Sequence, residues 1–162
     1  MAATDGDPEP SPARVVADAD VLAADLLCDG PSRAALDHLR EHSWTTLVAS
    51  DALLADAEAV IASLADETLA NDWRERVANW RESVTHPADD HPALASAYHG
   101  GAMHVLSLDG RLTTAGAGVG LAGHFDVSVR EPAAFASLFD AESLYGVVVG
   151  GEYDGPDRDP RA

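Results

Sequence analysis

Short apolar runs of strand length alternate with longer stretches of helical periodicity, and this alternation leaves few folds open to the chain. Val15–Ala17, Trp44–Ala49 (WTTLVA), Met103–Leu108 (MHVLSL) and Phe125–Val129 read as strands. Val21–Leu27 reads as a helix. Ser32 is placed to cap a second helix from Arg33 to Glu41, and Ser50 a third that reaches Ala65. The apolar stripe of this third helix is Leu53, Leu54, Ala57, Val60, Ile61 and Leu64. Residues 67–82 form a further polar helix. Its Trp73, Val77 and Trp80 share one face, expected to pack on the body or on a partner chain. A helix from Pro92 to His99 is stopped by Gly100-Gly101, and the glycine-rich stretch 112–123 is a short helix with loops. Pro132 opens the last helix, which carries Phe135, Leu138 and Phe139, and Leu144–Val149 reads as an edge strand. Strands separated by helices predict a three-layer α/β/α sandwich around a central, mainly parallel sheet. The expected domain spans residues 14–150, with a disordered acidic leader over 1–13 and a disordered tail over 151–162.

Parallel sheets of this kind gather ligands outside the C-terminal ends of their strands. Acids recur there. Asp18 and Asp20 follow the first strand, Ser50 and Asp51 the second, and Asp109 ends MHVLSLD. Asp56 flanks the stripe of the third helix, and Asp90 stands in Asp89-Asp90 just before another helix. Each has a plain structural reading. Asp18 and Asp90 suit helix caps, Asp56 a surface carboxylate and Asp109 a turn acid; Asp20 suits the capping role too, which would leave Asp18 facing the crevice. Converging carboxylates without basic partners are costly unless they hold cations. Oxygen-only clusters suit Mg²⁺ or Mn²⁺, which activate water and stabilise a phosphodiester transition state.

Charge sets the background for every such reading. The 162 residues include 28 acids and 10 basic residues, all arginine, for a net charge of −18. A surface this acidic is suited to a salt-rich, halophilic cytoplasm, where its self-repulsion is screened. It also lacks the basic patch that marks most nucleic-acid binders. The single cysteine, Cys28, allows no intrachain disulfide and no cysteine-based zinc site; it reads as a small buried apolar residue. No apolar run is long enough to span a bilayer, and the acidic, Pro-rich start is unlike a signal peptide, so a cytoplasmic location with no membrane partner is expected. The seven histidines form no zinc-protease pattern, although His91 neighbours Asp90. AGAGVG at 115–120 lacks the Lys-Ser/Thr ending of a phosphate loop.

The ordered series of motifs resembles the PIN domain family of metal-dependent ribonucleases and toxin–antitoxin toxins. VVADADVL supplies Asp18, SDALLAD runs from Ser50 to Asp56, and DDHPALASAYHGGAMHVLSLDGRL carries Asp90 and Asp109; Pro132 to Phe135 resembles a closing P-x-x-F. Asp56 stands where the family usually has Glu, and Asp20 where Asn is more frequent. The resemblance covers residues 15–139. It implies a metal-dependent endoribonuclease that hydrolyses RNA with Mg²⁺ or Mn²⁺ held by Asp18, Asp56, Asp90 and Asp109, supported by Asp20 and Ser107, with Arg111 near the phosphate path. An antitoxin or a second copy of the chain is the implied protein partner. The alternative expectation is a catalytically silent PIN-like binding or regulatory module.

Overall fold

A computed structural model describes residues 7–115 and 126–161. The elements in chain order are β1 (Ser11–Ala17), α1 (Ala19–Leu27), α2 (Pro31–Glu41), β2 (Thr46–Ser50), α3 (Asp51–Leu64), α4 (Glu67–Trp80), β3 (Glu82–Val84), α5 (Pro92–Gly100), β4 (Ala102–Leu106), α6 (Gly110–Ala115), β5 (Ser128–Arg130), α7 (Pro132–Leu138) and α8 (Ala141–Val148). Among the described residues five strands form one sheet in the order β3-β2-β1-β4-β5, and every pairing is parallel. Helices cover the sheet, so the expected α/β sandwich with a parallel sheet is the observed architecture.

The central strands are near-continuous apolar runs because both of their faces are covered. Val15, Val16 and Ala17 of β1, Leu47, Val48 and Ala49 of β2, and Val105 and Leu106 of β4 are all buried. On α3 the buried stripe is Leu53, Leu54, Ala57 and Ile61, much as the periodicity predicts, whereas Leu64 is exposed. Trp73 and Val77 of α4 are buried in the same core, with Trp80 packed at its margin, so this face turns to the body. The helix α5 crosses β1, β2 and β4 at close range. A Cβ on Gly100 would meet Val48 Cγ1 at 2.3 Å. The next residue, Gly101, ends α5 in the left-handed conformation (φ 65°), under the backbone oxygens of Pro8 and Glu9.

Several sequence expectations change. β1 starts at Ser11, inside the stretch read as a leader. Ser11 donates its N–H to Gly101 O at 2.9 Å and Ala13 is buried, so backbone pairing draws the acidic, Pro-rich start into the sheet. Residues 151–161 fold back onto α2: the Tyr153 hydroxyl meets His42 Nε2 at 2.7 Å, and the Asp157 and Arg158 amides donate to Glu41 O. The stretch 144–148 is helical within α8, with Val149 as its C-cap, rather than an edge strand. Asp140 caps it by accepting from Ser143 N, and the apolar run supplies one exposed side of a short helix. Ser32 lies buried in the first turn of α2, whose N-cap is Gly30 with Pro31 as the first helical residue. Cys28 is exposed, because it is the extended C-cap of α1, beyond the helix's buried face. β3 has only three residues, too few to show a periodicity. The stretch AGAGVG falls, past Ala115, outside the described residues, as does Phe125 of the expected strand.

The chain order across the sheet fixes where a crevice lies. From β1 the chain winds through β2 to β3, then crosses back to β4 and continues to β5. The winding therefore reverses between β1 and β4, which are adjacent. Such a reversal opens a crevice at the C-terminal ends of the two strands.

Candidate functional site

Both strands that flank the reversal end in acids. Asp18 leaves β1 and is the N-cap of α1, where its Oδ1 accepts from Ala19 N at 2.8 Å. Its other oxygen, Oδ2, accepts from Ser107 Oγ at 3.0 Å. Ser107 follows the last residue of β4 and is fully buried; its Oγ also accepts from Asp109 N at 3.0 Å. One hydroxyl thus holds the β1 carboxylate and the β4 turn together.

Of the two capping readings open to the first two acids, the structure takes the one with Asp18 as the cap. Asp18 caps the helix, and Asp20, in its first turn, reaches across the crevice. Asp20 Oδ2 accepts from Leu108 N at 3.2 Å, while its Oδ1 is buried with no hydrogen-bond partner. Burial raises the pKa of Asp20, and the nearby charges of Asp18 and Asp109 raise it further. Asp109 is held the other way. Arg111 binds it through its backbone N–H at 2.9 Å and its Nη2 at 3.1 Å, which lowers its pKa; His91 contributes in the same sense. The Arg111 side chain is 91% exposed.

The other predicted acids do not join this group. Asp56 is exposed on α3, because the neighbouring Ala57 takes the buried position. Asp90 is exposed in a turn whose amide donates to Pro87 O, and the capping role expected of it falls to His91, whose Nδ1 accepts from Ala93 N. Among the described residues no group of three or more histidine, cysteine, aspartate or glutamate side chains is close enough to hold an ion. The predicted four-carboxylate set is therefore not gathered as one cage. Asp20 lies within electrostatic reach of Asp18 and of Asp109, and Ser107 Oγ donates to Asp18.

The donor set still fits a divalent cation of the hydrated kind. All the donors are oxygens, and Asp20 Oδ1 is a buried acceptor without a donor. Mg²⁺ in particular uses one or two carboxylates and keeps water or substrate oxygens for the rest of its shell. Asp18 and Asp20 would be that pair.

Sequence reasoning missed one histidine at the same sheet edge and tied a second only to its neighbour Asp90. His86, just past β3, places its Nε2 2.8 Å from Ser50 Oγ at the end of β2, while Ser50 Oγ accepts from Leu53 N as the α3 cap. His91 lies near Asp109 through the fold rather than through its neighbour Asp90. Neither histidine sits in a spacing that signals such contacts, since both depend on how α5 returns across the sheet.

No helix among the described residues is long and apolar enough to cross a membrane. No curated protein matches the chain. The family match corrects the resemblance drawn from the short acidic motifs, because D-x-D, S-x-x-x-x-x-D and S-x-D are brief patterns in a sequence where acids are abundant. Over residues 9–161 the chain belongs not to the PIN family but to DUF7384, described as a family of unknown function.

Proposed function

We propose that the crevice between β1 and β4 binds Mg²⁺ or Mn²⁺ and hydrolyses phosphodiester bonds, with RNA as the substrate. The observation that carries this reading is the pairing of Asp18 and Asp20 at the point of winding reversal, with one Asp20 oxygen buried and unpartnered. A cation bound there supplies charge stabilisation to a phosphate and lowers the pKa of water. Asp18 is oriented for this by two hydrogen bonds, from Ala19 N and Ser107 Oγ, so its carboxylate is fixed before any ligand arrives. Arg111 faces solvent beside Asp109. An exposed ion pair is worth little, so Arg111 can exchange Asp109 for a substrate phosphate at small cost. That exchange frees Asp109 toward the crevice. His91 adds to the electrostatic hold on Asp109. A cytoplasmic setting in high salt belongs to the same reading, supported by the −18 charge and the lone cysteine.

The test is cleavage of a mixed-sequence RNA in molar KCl with Mg²⁺ or Mn²⁺, beside an EDTA control. Metal-dependent cleavage that falls by two orders of magnitude or more in Asp18→Asn supports the proposal. Equal cleavage by the variant places the activity elsewhere.

A second reading is a catalytically silent binding or regulatory module, engaged by an antitoxin-like protein or a second copy of the chain. Two observations favour it: both oxygens of Asp109 are occupied by Arg111, and α8 leaves Val147 and Val149 exposed. It predicts no cleavage with either metal.

A further inference from the structure

A cavity of about 700 Å³ lies at the other end of the sheet from the carboxylates. The topology sets this distance. The helix α1 starts at Asp18, and its nine residues carry the chain about 13 Å back before Asp25 and Leu26 reach the cavity wall. Trp80, on the opposite wall, precedes the start of β3 by two residues.

Five arginines line the cavity: Arg33, Arg40, Arg76, Arg158 and Arg161. The chain has ten basic residues in all and a net charge of −18, so half of its cations surround one hollow. Only two carboxylates, Asp25 and Asp159, are in the lining. Asp25 is consumed by a two-pronged pair with Arg40, which also meets Asp37 at 2.9 Å. Arg161 meets the other Asp37 oxygen at 2.7 Å. The remaining guanidinium groups are less tightly paired, and Arg33 reaches the exposed Asp29 only at 3.9 Å. Arg33 donates Nε and Nη2 to the carbonyls of Asp25 and Leu26, and Arg158 donates Nη2 to the carbonyls of Leu39 and His42. Carbonyls position these groups without neutralising them. Arg76 is exposed on α4 and makes no hydrogen bond or ion pair among the described residues. Trp73, Val77 and Trp80 supply an apolar wall, and the Arg40 guanidinium sits 5.0 Å from the Trp80 ring centroid.

We propose that this cavity binds a phosphorylated ring compound of the nucleotide class. Guanidinium forks match phosphate oxygens, the tryptophan wall matches a flat heterocycle, and the volume is that of a small-molecule site. The C-terminal segment forms part of the site: Asp157 binds Ser43 through its N–H and Oγ, which holds Arg158 and Arg161 at the rim. None of the crevice residues takes part, so this proposal stands or falls separately from phosphodiester hydrolysis.

Two of the three tryptophans line the cavity, so intrinsic fluorescence reads its occupancy. The full chain, in EDTA, is titrated with ATP, and in parallel with adenosine and with inorganic phosphate. The expected result is a saturable change with ATP at lower concentration than with either fragment. Arg76→Ala, which removes no hydrogen bond or ion pair among the described residues, should weaken ATP binding about tenfold, the loss of one charge-assisted hydrogen bond. Asp18→Asn should bind ATP as the wild type does. A chain without a saturable ATP response, an Arg76→Ala variant that binds ATP unchanged, or loss of binding in Asp18→Asn would each overturn the proposal.

Discussion

Ser107 Oγ lies 3.0 Å from Asp18 Oδ2, so a buried hydroxyl at the end of β4 orients the carboxylate at the end of β1. The same oxygen receives the Asp109 N–H, and the two strand ends are thereby coupled through one side chain. Ser107→Ala should lower stability by about 1–3 kcal/mol, the usual cost of leaving buried hydrogen-bonding groups unmatched. It should also weaken Mn²⁺ binding. Ser96 is equally buried, and its Oγ accepts from Ser50 N on the neighbouring strand. Ser96→Ala should lower the melting temperature while Mn²⁺ affinity stays as in the wild type. Equal effects of both substitutions on Mn²⁺ affinity would reduce Ser107 to a structural role.

Asp20 should cost stability when no cation is present. Its pKa is raised above the ordinary 3.8 by burial and by its acidic neighbours. The folded protein therefore binds a proton more tightly at this site than the unfolded chain does. The contribution of the protonated group to stability is fully present below pH 3.8 and is lost as the pH rises through the raised value. At pH 7 Asp20 is a net burden, and Asp20→Asn should melt at a higher temperature than the wild type in EDTA. The difference should shrink as the pH falls from the raised value to about 3.8 and stay small below it, where both side chains are neutral. Millimolar Mn²⁺ should stabilise the wild type and not the variant. A lower melting temperature for Asp20→Asn at pH 7 in EDTA would contradict this.

Gly100→Ala tests the packing of α5 on the sheet. The added methyl would meet Val48 Cγ1 at 2.3 Å, well inside contact distance. Overpacking of this kind costs about 1–3 kcal/mol. Pairing it with Val48→Ala should restore part of the loss, as measured by urea denaturation, whereas additive losses would show that the two positions do not press on each other.

Arg40 and Asp25 form a buried pair, with Asp25 only 5% exposed. Arg40→Ala strands the carboxylate and should cost about 3–5 kcal/mol at pH 7. The double variant Arg40→Met with Asp25→Leu removes both charges and should be clearly more stable than Arg40→Ala alone. A double variant no better than the single one would show that packing, not charge, dominates there.

The architecture was legible where periodicity is strong. The apolar runs of β1, β2 and β4 and the stripe of α3 locate the sheet and its covering helix, because burial on both sides of a strand and on one side of a helix leaves distinct patterns. The ends of the chain were not legible. Ser11 and Ala13 enter the sheet through backbone pairing, and Tyr153 and Asp157 return through specific hydrogen bonds; composition encodes neither. At the site, the acids after strands were found, but which of Asp18 and Asp20 caps the helix depends on χ angles that spacing does not set. Asp56 beside the stripe of its helix and Asp90 before a helix start were placed by position along their elements. Position does not fix which way a side chain at the margin turns, and the fold leaves both exposed. The gathering of five arginines brings together α2, α4 and the chain end, separated by up to 128 positions between Arg33 and Arg161, and no local pattern announces it.

The central claim is that Asp18 and Asp20 hold a divalent cation. Calorimetric titration of Mn²⁺ into the wild-type chain in molar KCl tests it most directly, beside Asp18→Asn, Asp20→Asn and Asp56→Asn. The account predicts one saturable site per chain, lost in the Asp18 and Asp20 variants and retained in Asp56→Asn. A wild type with no saturable site, or a site that survives both crevice substitutions, would contradict it.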